Sequence, residues 1–423
     1  MISSFNYISM FDNIDNLILL NQFEVSNLLD VSLNRLDVWS KNGKLLPYEY
    51  KDNIHYYNKS DLLKFDKAKG VFNSKWEEFI QIKPKQKYTS IELFAGAGGL
   101  GLGMEMAGID HILLNEIDKY ASQTLRLNRP KWNVMEGDIG EIDFSEYKGK
   151  VDVVSGGFPC QAFSHAGKKR GFEDTRGTLF FEFARCIKEV QPKIFIGENV
   201  KGLLNHDNGR TLDVIRGAIK ELGYTLIEPT VLNSMYYKVP QKRERLILVG
   251  VRNDYLNKIS NFKFPEKYNK VLTVRDALFK GELFDTDAPE SIGSSYPEKK
   301  KEVMDLVPEG GYWKDLPEAI QKEYMGGSYF LGGGKTGLAR RLSLDNPSLT
   351  IVCAPAMKQT ERCHPIETRP LTVRESARIQ TFPDDWEFYG GATQQYKQIG
   401  NAVPVNLAYA IGLSVIDFLN NLD

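Results

Sequence analysis

The sequence predicts an α/β fold in which short buried strands alternate with amphipathic helices. Five apolar runs recur between residues 89 and 251: TSIELF, HILLNEI, VDVVSGG, KIFIGENV and RLILVGV. Amphipathic stretches such as TLFFEFARCIKEV and TLDVIRGAIKEL lie between them. This alternation favours a parallel sheet with helices on both faces. A glycine-rich turn, FAGAGGLGLG, follows the first run, as it does in nucleotide-binding folds.

Bulk properties exclude several classes of protein. The net charge of the 423 residues is -1, so any nucleic-acid surface must be a local basic face. No apolar run approaches the roughly 18 residues of a membrane span, and the N-terminus lacks signal-peptide features. The four cysteines show no C-x-x-C spacing, which argues against structural zinc and disulfides and favours the cytoplasm: Cys160, Cys186, Cys353 and Cys363.

Three domains are expected. Residues 1–83 form a separate module, in which Ser32 is a good N-cap for a helix that Asn42-Gly43 ends, and a basic, proline-containing linker follows from Ile82. Residues 84–252 and 367–423 form the α/β domain. The glycine-rich residues 253–366, where the alternation dissolves, form a second, smaller domain.

The first strand ends carry a nucleoside-binding pattern. Gly96, Gly98 and Gly101 satisfy the G-x-G-x-x-G spacing, and Glu116 lies twenty residues past Gly96. Bare backbone at a helix N-terminus can approach a ligand closely, and an acid at that distance suits ribose hydroxyls. Asp138, after the next strand, could accept a hydrogen bond from the adenine amino group. The pattern indicates an adenosine site and does not require a pyrophosphate.

Later strand ends add a different chemistry. Cys160 follows the third strand in FPCQAFS, and Glu198 follows the fourth in GENV. A lone cysteine is usually a small buried hydrophobe, but a strand end is where a nucleophile is held. Hydride transfer needs no such pair, whereas methylation of a pyrimidine carbon does. Addition of a thiolate to C6 of cytosine, with an acid at N3, makes C5 nucleophilic toward a sulfonium methyl.

These motifs, in this order, resemble the DNA (cytosine-5) methyltransferases of restriction-modification systems. The resemblance runs through IELFAGAGGLGLG, GGFPCQAF, GFEDTRGTLFFE, GENVKG, VPQKRER, RPLTVRESARIQTFPDDW and QIGNAVPV, and covers about residues 89–252 and 367–415. Each motif alone is weak, but their order is specific. The family implies a Rossmann-like catalytic domain, a target-recognition domain at 253–366, and S-adenosyl-L-methionine in the glycine site.

The resemblance also implies roles for individual residues. The expected cofactor contacts are Phe94, Ala95, Gly96, Gly98, Gly99, Leu100, Glu116, Ile117, Asp138, Ile139, Pro159, Leu179, Asn401 and Val403. Cys160 would be the nucleophile and Glu198 would contact the flipped cytosine. Asn199, Arg243 and Arg245 would complete the catalytic set. Gln161 and Ser164 would meet DNA. By residue type we also expect DNA contacts from Gln241, Lys335, Arg340 and Arg341, because arginine and glutamine suit base edges and lysine suits phosphates.

The N-terminal module resembles the winged helix-turn-helix of MerR-like and excisionase proteins. Ser32 to Lys41 would be the recognition helix, presenting Asn34 and Arg35 to DNA, and Lys44 to Tyr57 would be the wing. A module that only stabilises the enzyme is the alternative. Double-stranded DNA is the expected partner, with no metal and no membrane, and DNA binding would place this cytoplasmic protein at the nucleoid. A monomer is expected, with a dimer through the module left open.

Four other functions compete with this interpretation. A tRNA cytosine-5 methyltransferase is the nearest alternative. Three features favour a DNA substrate over tRNA: the FPCQAFS loop, the long segment 253–366 and the N-terminal module. Adenine and N4-cytosine methyltransferases would carry an Asp/Asn/Ser-Pro-Pro-aromatic motif, which is lacking. A dehydrogenase would explain the glycine-rich turn but would give Cys160 no chemical role. A transcription factor would explain residues 1–83 alone.

Overall fold

The computed structural model describes residues 18–159, 178–332 and 335–422. Backbone contacts divide the chain into two compact units. The first unit lies within Met1–Ser74 and takes in the distant segment Lys267–Val271, and the second comprises Lys75–Glu266 and Leu272–Asp423.

The polar segment expected as a linker belongs to the second unit. The Lys85 N–H donates to the Asn420 side-chain oxygen at 2.9 Å, and the Asn420 side-chain nitrogen donates to the Lys83 carbonyl at 2.9 Å. The boundary between the units therefore falls earlier, between Ser74 and Lys75.

The first unit combines short helices with a small antiparallel sheet. In chain order its elements are β1 (Leu19–Asn21), α1 (Gln22–Leu29), α2 (Leu33–Lys41), β2 (Glu49–Lys51), β3 (Ile54–Asn58), α3 (Lys59–Leu62) and α4 (Asp66–Phe72). Ser32 caps α2 as the sequence predicts, accepting a hydrogen bond from the Arg35 N–H at 3.2 Å. Asp52 and Asn53 turn the β2–β3 hairpin with φ of 52° and 62°, the left-handed pair that a two-residue turn requires.

An eight-stranded sheet organises the second unit. Its strands are β4 (Tyr88–Leu93), β5 (Ile109–Glu116), β6 (Val134–Glu136), β7 (Val153–Gly156), β8 (Ile194–Val200), β9 (Tyr224–Leu226), β10 (Thr230–Asn233) and β12 (Glu244–Arg252). They lie in the order β10-β12-β8-β7-β4-β5-β6, with β9 also paired to β12. A separate parallel pair joins β11 (Gln241–Lys242) to β13 (Ser348–Leu349).

The sheet is mixed, which corrects the prediction of a parallel sheet. β4, β5, β6, β7 and β8 are parallel, whereas β12 runs antiparallel to β8, β9 and β10. The cause is the connection into β12, which passes from β10 through a short segment without a long crossover helix. A chain that returns without such a crossover enters the sheet antiparallel.

Helices cover both faces of this sheet. The second unit contains α5 (Trp76–Phe79), α6 (Gly99–Ala107), α7 (Lys119–Asn128), α8 (Leu179–Val190), α9 (Arg210–Glu221), α10 (Val274–Leu278), α11 (Glu298–Asp305), α12 (Glu318–Met325), α13 (Val373–Ile379), α14 (Ala392–Asn401) and α15 (Val405–Asn420). Apolar residues of α8 and α9 pack on the strands in one cluster, and those of α13, α14 and α15 form another.

One helical stretch in the described part of the chain, Ala392–Asn420, is long and apolar enough to cross a membrane. However, 83% of its most apolar window is buried inside the fold. It is therefore explained as core: α15 packs its apolar residues on α6, and a Cβ at Gly103 would lie 2.4 Å from the Ala408 side chain.

A separate apolar cluster lies within residues 253–366, between the last strand of the sheet and α13. Tyr296, Met304, Trp313, Met325 and Cys363 are among its buried members. This part of the chain is therefore folded around its own core within the second unit.

Candidate active site

A cavity of about 650 Å³ opens at the carboxyl ends of β4, β5, β7 and β8. This edge is where open α/β sheets bind their ligands. The volume lies in the usual range for a cofactor pocket. Residues predicted for the cofactor and for catalysis line the same cavity: Phe94, Ala95, Gly96, Gly99, Leu100, Glu116, Ile117, Pro159, Asn401 and Val403, with Glu198, Asn199, Arg243 and Arg245.

The glycine turn after β4 shapes one wall of the cavity. Phe94 has φ of 57°, an uncommon left-handed backbone for a residue with a side chain, and Gly96 and Gly98 also have positive φ. A side chain at Gly99 would collide with the Val403 carbonyl, 2.2 Å from the ideal Cβ position. The first residue of α6 therefore has to be glycine, because only glycine lets the turn pack closely against residues 400–403 (GNAV).

Glu116 lies at the end of β5 and braces this turn. One carboxylate oxygen accepts a hydrogen bond from the Gly96 N–H at 2.7 Å, and the other accepts one from the Asp118 N–H at 2.7 Å. Burial raises the pKa of Glu116, and these two bonds oppose the rise. The second lone pair of each oxygen can still accept a hydrogen bond from a ribose hydroxyl.

Asp118 and Lys397 close the cavity on the side of α7 and α14. The Lys397 Nζ lies 2.8 Å from the Asp118 Oδ2, and the other Asp118 oxygen caps α7 by accepting from the Tyr120 N–H at 2.9 Å. The Lys397 hydrogen bond helps to hold the pKa of Asp118 below its usual value, against the effect of burial. This pair joins the two chain segments that flank the opening.

Four residues predicted to contact the cofactor lie outside the cavity lining. Gly98 lies behind the turn, where an added Cβ would meet the Leu125 side chain at 2.7 Å. Asp138 is exposed and accepts from the Gly140 N–H at 2.9 Å. Ile139 is buried in the core beneath the sheet, and Leu179 is 40% exposed at the start of α8. The structure does not bring these four to the cavity surface.

On the opposite side of the cavity, Glu198 is paired with Arg245. The Arg245 Nε lies 2.6 Å from the Glu198 Oε1, and both side chains are 13% exposed. Burial raises the pKa of Glu198, although Arg245 and Arg243 act to lower it. A Cβ at Gly157 would lie 2.9 Å from the second Glu198 oxygen, so glycine leaves room for the carboxyl group.

Arg243 forms part of the cavity floor. Its guanidinium donates to the Gly400 carbonyl at 2.9 Å and to the Ile351 carbonyl at 3.3 Å. Burial lowers its pKa to about 9, so the group is still a cation at neutral pH. The arginine thus ties three chain segments together and holds a positive charge near Glu198.

Asn199 anchors the loop that leads to Cys160. Its side-chain nitrogen donates to the Phe158 carbonyl at 2.7 Å, and its side-chain oxygen accepts from the Val200 N–H at 2.9 Å. The described chain follows this loop as far as Pro159, which lines the cavity. Cys160, Gln161 and Ser164 lie outside the described residues.

Two predicted DNA contacts are corrected by the structure. Gln241 is fully buried and its side-chain nitrogen donates to the Gln380 side-chain oxygen at 2.8 Å. Arg341 is 5% exposed and donates to the Met304 carbonyl at 2.7 Å and the Val307 carbonyl at 2.8 Å. Both side chains are used inside the fold and are not available to DNA in this conformation.

Two other residues predicted to contact DNA, Lys335 and Arg340, are partly exposed. Arg340 donates to the Gly310 carbonyl at 2.9 Å and stacks 4.7 Å from the Tyr312 ring centre, while Lys335 binds the Ser328 and Leu331 carbonyls. In the first unit, Asn34 and Arg35 are exposed on α2.

Sequence reasoning missed three charged residues that line the cavity: Glu92, Asp118 and Lys397. Glu92 was detectable as the single charge inside the apolar run TSIEL. The pairing of Asp118 with Lys397 joins residues 279 positions apart and had no local signal. In the described residues, no group of three His, Cys, Asp or Glu side chains is placed to hold a metal ion.

A mixed sheet with a cavity at its carboxyl edge, lined by a glycine turn and a carboxyl–arginine pair, is the arrangement expected of an α/β-class methyltransferase. A family model for C-5 cytosine-specific DNA methylases matches residues 88–417. The chain belongs to this family. It therefore transfers the methyl group of S-adenosyl-L-methionine to C5 of cytosine in DNA, as the type II modification methyltransferases do.

Related proteins agree with this assignment. The chain is 60% identical over 401 residues to the type II methyltransferase M.Eco47II of Escherichia coli, covering 95% of this chain and 96% of that protein. It is 59% identical to M.PspPI of a Psychrobacter species, covering 94% and 95%, and 49% identical to M.Sau96I of Staphylococcus aureus, covering 83% and 82%.

Solved structures share the fold. A prophage-encoded protein of E. coli, assigned as a DNA modification methyltransferase, aligns with a TM-score of 0.55 and 26% identity over 79% of this chain and 100% of that one. The Dnmt2 methyltransferase of S. pombe aligns with a TM-score of 0.52 and 17% identity over 78% and 98%.

Proposed function

We propose that the chain methylates a cytosine turned out of a specific short duplex sequence, through a covalent bond between Cys160 and C6. The observation that carries this proposal is the Glu198–Arg245 pair at 2.6 Å, held in the cavity that also contains the glycine turn. It places a carboxyl group of raised pKa beside the nucleoside pocket. A carboxyl group whose pKa is raised in this way is suited to share a proton with N3 of a base.

Each residue has a defined task in the proposed reaction. The Cys160 thiolate adds to C6 while Glu198 donates a hydrogen bond to N3, which moves electron density toward C5. C5 then takes the methyl group, the C5 proton leaves to a base, and the Cys160–C6 bond breaks to restore the aromatic ring. Arg245 orients Glu198, and Asn199 fixes the Phe158 carbonyl two residues before the nucleophile.

The cavity also suits the proposed cofactor contacts. Glu116 is braced by two backbone N–H groups and retains lone pairs for the ribose hydroxyls. Phe94 and Ile117 supply apolar surface for adenine at the rim, where Ile117 is 70% exposed. When bound, S-adenosyl-L-methionine supplies the electrophilic methyl group. Transfer of a labelled methyl group to duplex DNA and not to tRNA, with 5-methylcytosine as the product, tests this activity.

Recognition of the DNA sequence is proposed for residues 253–366. Because Arg341 is buried, other residues of this segment, which are exposed, are proposed to carry the contacts. Phe330 and Leu331 are 81% and 67% exposed at a glycine-flanked tip, and Lys335 lies beside them. An apolar tip with a neighbouring cation suits insertion at a base step together with a phosphate contact.

For residues 1–83 we propose a winged helix-turn-helix that binds DNA. Two features support it: α1 and α2 are joined by a short turn with Asn34 and Arg35 exposed, and a β2–β3 hairpin follows. The module would either regulate expression of its own gene or add affinity beside the methylation site. Retention by the full chain of a labelled duplex that lacks the methylation sequence, and its loss in the Arg35→Ala variant, tests DNA binding by α2.

A further inference from the structure

A completely buried carboxyl group lies in the segment proposed to recognise DNA. Glu361 is 0% exposed, although the apolar residues Phe330 and Leu331 of the same segment project into solvent. We call residues Gly326–Leu331 the recognition tip, because these two exposed side chains lie at its end. A carboxyl group is rarely buried completely unless it has partners, so the contacts of Glu361 indicate what it does.

The side chain of Glu361 holds the chain where it enters the recognition tip. The hydroxyl of Tyr324, two residues before the tip, donates to the Glu361 Oε1 at 2.5 Å. Burial, with the nearby Glu361, raises the pKa of Tyr324, so the hydroxyl keeps its proton at neutral pH. The Lys358 Nζ binds the Tyr324 carbonyl and lies 4.7 Å from the centre of its ring. The C-terminal end of α12, where the tip begins, is therefore fixed.

The backbone of Glu361 holds the chain that follows the tip. Its N–H donates to the Gly337 carbonyl at 3.1 Å. A Cβ at Gly337 would lie 2.4 Å from the Gln359 carbonyl oxygen, so the close approach of these two segments requires glycine. One residue thus secures both segments that flank the recognition tip.

Lys300 adds a third contact, from α11. Its Nζ lies 2.5 Å from the Glu361 Oε1 and 2.6 Å from the Ala356 carbonyl oxygen. Burial raises the pKa of Glu361, and the contacts with Lys300 and Tyr324 oppose the rise. We call Glu361, Tyr324 and Lys300 the anchor cluster. Among the described residues that line the active-site cavity, none belongs to this cluster.

We propose that Glu361 and Tyr324 are positioning residues for sequence recognition, which hold the recognition tip in one place. The inference rests on the proposed role of residues 253–366 in recognition. A tip that moves can adapt to several sequences, whereas a fixed tip rejects a wrong base pair because it cannot rearrange to recover the lost contacts. Weakening the anchor cluster should therefore widen the range of methylated sequences and leave the chemical step unchanged.

Bisulfite sequencing of a plasmid methylated by the full chain tests this proposal. The wild-type pattern defines the primary site, and secondary sites differ from it by one base pair. Tyr324→Phe removes one hydroxyl and leaves Glu361 paired with Lys300. Tyr255→Phe is the matched control, because Tyr255 follows β12 at the edge of the sheet opposite the cavity. Phe330→Ala removes an apolar side chain of the tip itself.

Tyr324→Phe should raise methylation of secondary sites relative to the primary site by at least about fivefold, since it removes a buried hydrogen bond to a charged group. Tyr255→Phe should not change this ratio. The single-turnover rate of Tyr324→Phe at the primary site, with saturating DNA, should stay within about twofold of the wild type. An unchanged ratio would overturn the proposal. An equal loss of rate at primary and secondary sites would also overturn it, because it would show a general effect on folding.

Phe330→Ala separates failure of this inference from failure of the proposed recognition role. If Phe330→Ala changes the pattern and Tyr324→Phe does not, the tip contacts DNA without needing the anchor cluster, and only this inference fails. If neither variant changes the pattern, recognition by the tip fails as well.

Amide hydrogen exchange gives a second measurement, which requires no DNA. Residues 318–331, which include α12 and the recognition tip, should exchange faster in Tyr324→Phe than in the wild type, because the variant lacks the contact between Tyr324 and Glu361. Equal exchange in the two proteins would contradict anchoring of the tip by this contact.

Discussion

The Arg245 Nε lies 2.6 Å from the Glu198 Oε1, and the pair spans two antiparallel strands. In the register of β8 and β12, Arg245 is opposite Val200, so Glu198 is its diagonal neighbour. Because β12 runs antiparallel, its beginning lies at the edge where β8 ends. The mixed topology is therefore what brings an arginine from the start of one strand to a carboxyl group at the end of another.

Replacement of Glu198 by glutamine should impair the chemical step. The amide of the Glu198→Gln variant could occupy the position of the carboxyl group but could not give up a proton, and such acid catalysis contributes roughly 10² to 10⁴ in rate. We expect kcat to fall by about a hundredfold or more in single-turnover methylation, while S-adenosyl-L-methionine binds as before. A matching loss of cofactor affinity would indicate a structural role for Glu198.

Removal of Arg245 should change the pH dependence in a defined direction. Burial raises the pKa of Glu198 and Arg245 lowers it, so Arg245→Met should raise it further. A reaction that needs the protonated carboxyl group is lost as pH rises through that pKa. The alkaline limb of the kcat profile should therefore move to higher pH while the maximum rate falls. A limb that stays in place, or moves to lower pH, would contradict proton donation by Glu198.

The sequence predicted the residues of the site better than the arrangement that joins them. Strand ends could be read from short apolar runs, and this located the glycine turn, Glu116 and Glu198. The direction of β12 depends on a connection without a crossover helix, which the alternation did not reveal. Gln241 and Arg341 were assigned to DNA from residue type alone, whereas their burial is set by partners far along the chain, such as Gln380 and Met304.

Arg243 should contribute to stability as well as to the site. Its guanidinium satisfies the buried carbonyls of Ile351 and Gly400, and an unsatisfied buried acceptor costs about 1 to 3 kcal/mol. Arg243→Met should lower the free energy of unfolding by that order in urea denaturation. Arg216→Met, which removes a surface pair with Glu228, is the control and should change it by less than about 0.5 kcal/mol. Equal effects would show that these bonds contribute little.

Glu116 should determine cofactor affinity. In Glu116→Gln, only one side-chain oxygen remains to accept from the Gly96 and Asp118 N–H groups. The turn therefore loses one of these two hydrogen bonds, and the ribose loses one acceptor. Loss of a hydrogen bond to a charged group costs about 1.5 to 3 kcal/mol. Calorimetry should show at least about tenfold weaker binding of both S-adenosyl-L-methionine and adenosine. Preserved adenosine binding would place the ribose elsewhere.

Deletion of the first unit should leave the methylated sequence unchanged, if recognition lies in residues 253–366. A chain beginning at Lys75 keeps the contacts of Lys83 and Lys85 with Asn420, whereas one beginning at Tyr88 loses them. The longer chain should therefore be the more stable of the two. Bisulfite sequencing of modified plasmid should find the same cytosine methylated by the longer chain and the full protein. A different cytosine would show that the first unit takes part in target choice.

Covalent trapping on DNA that contains 5-fluorocytosine tests the central claim most directly. Fluorine at C5 cannot leave as the proton does, so the Cys160–C6 bond should persist after methyl transfer. The wild type, with S-adenosyl-L-methionine, should give an adduct that survives denaturing electrophoresis and maps to Cys160 by mass spectrometry, and Cys160→Ala should give none. A wild type that methylates cytosine but forms no adduct, or an adduct that persists in Cys160→Ala, would contradict the proposed mechanism.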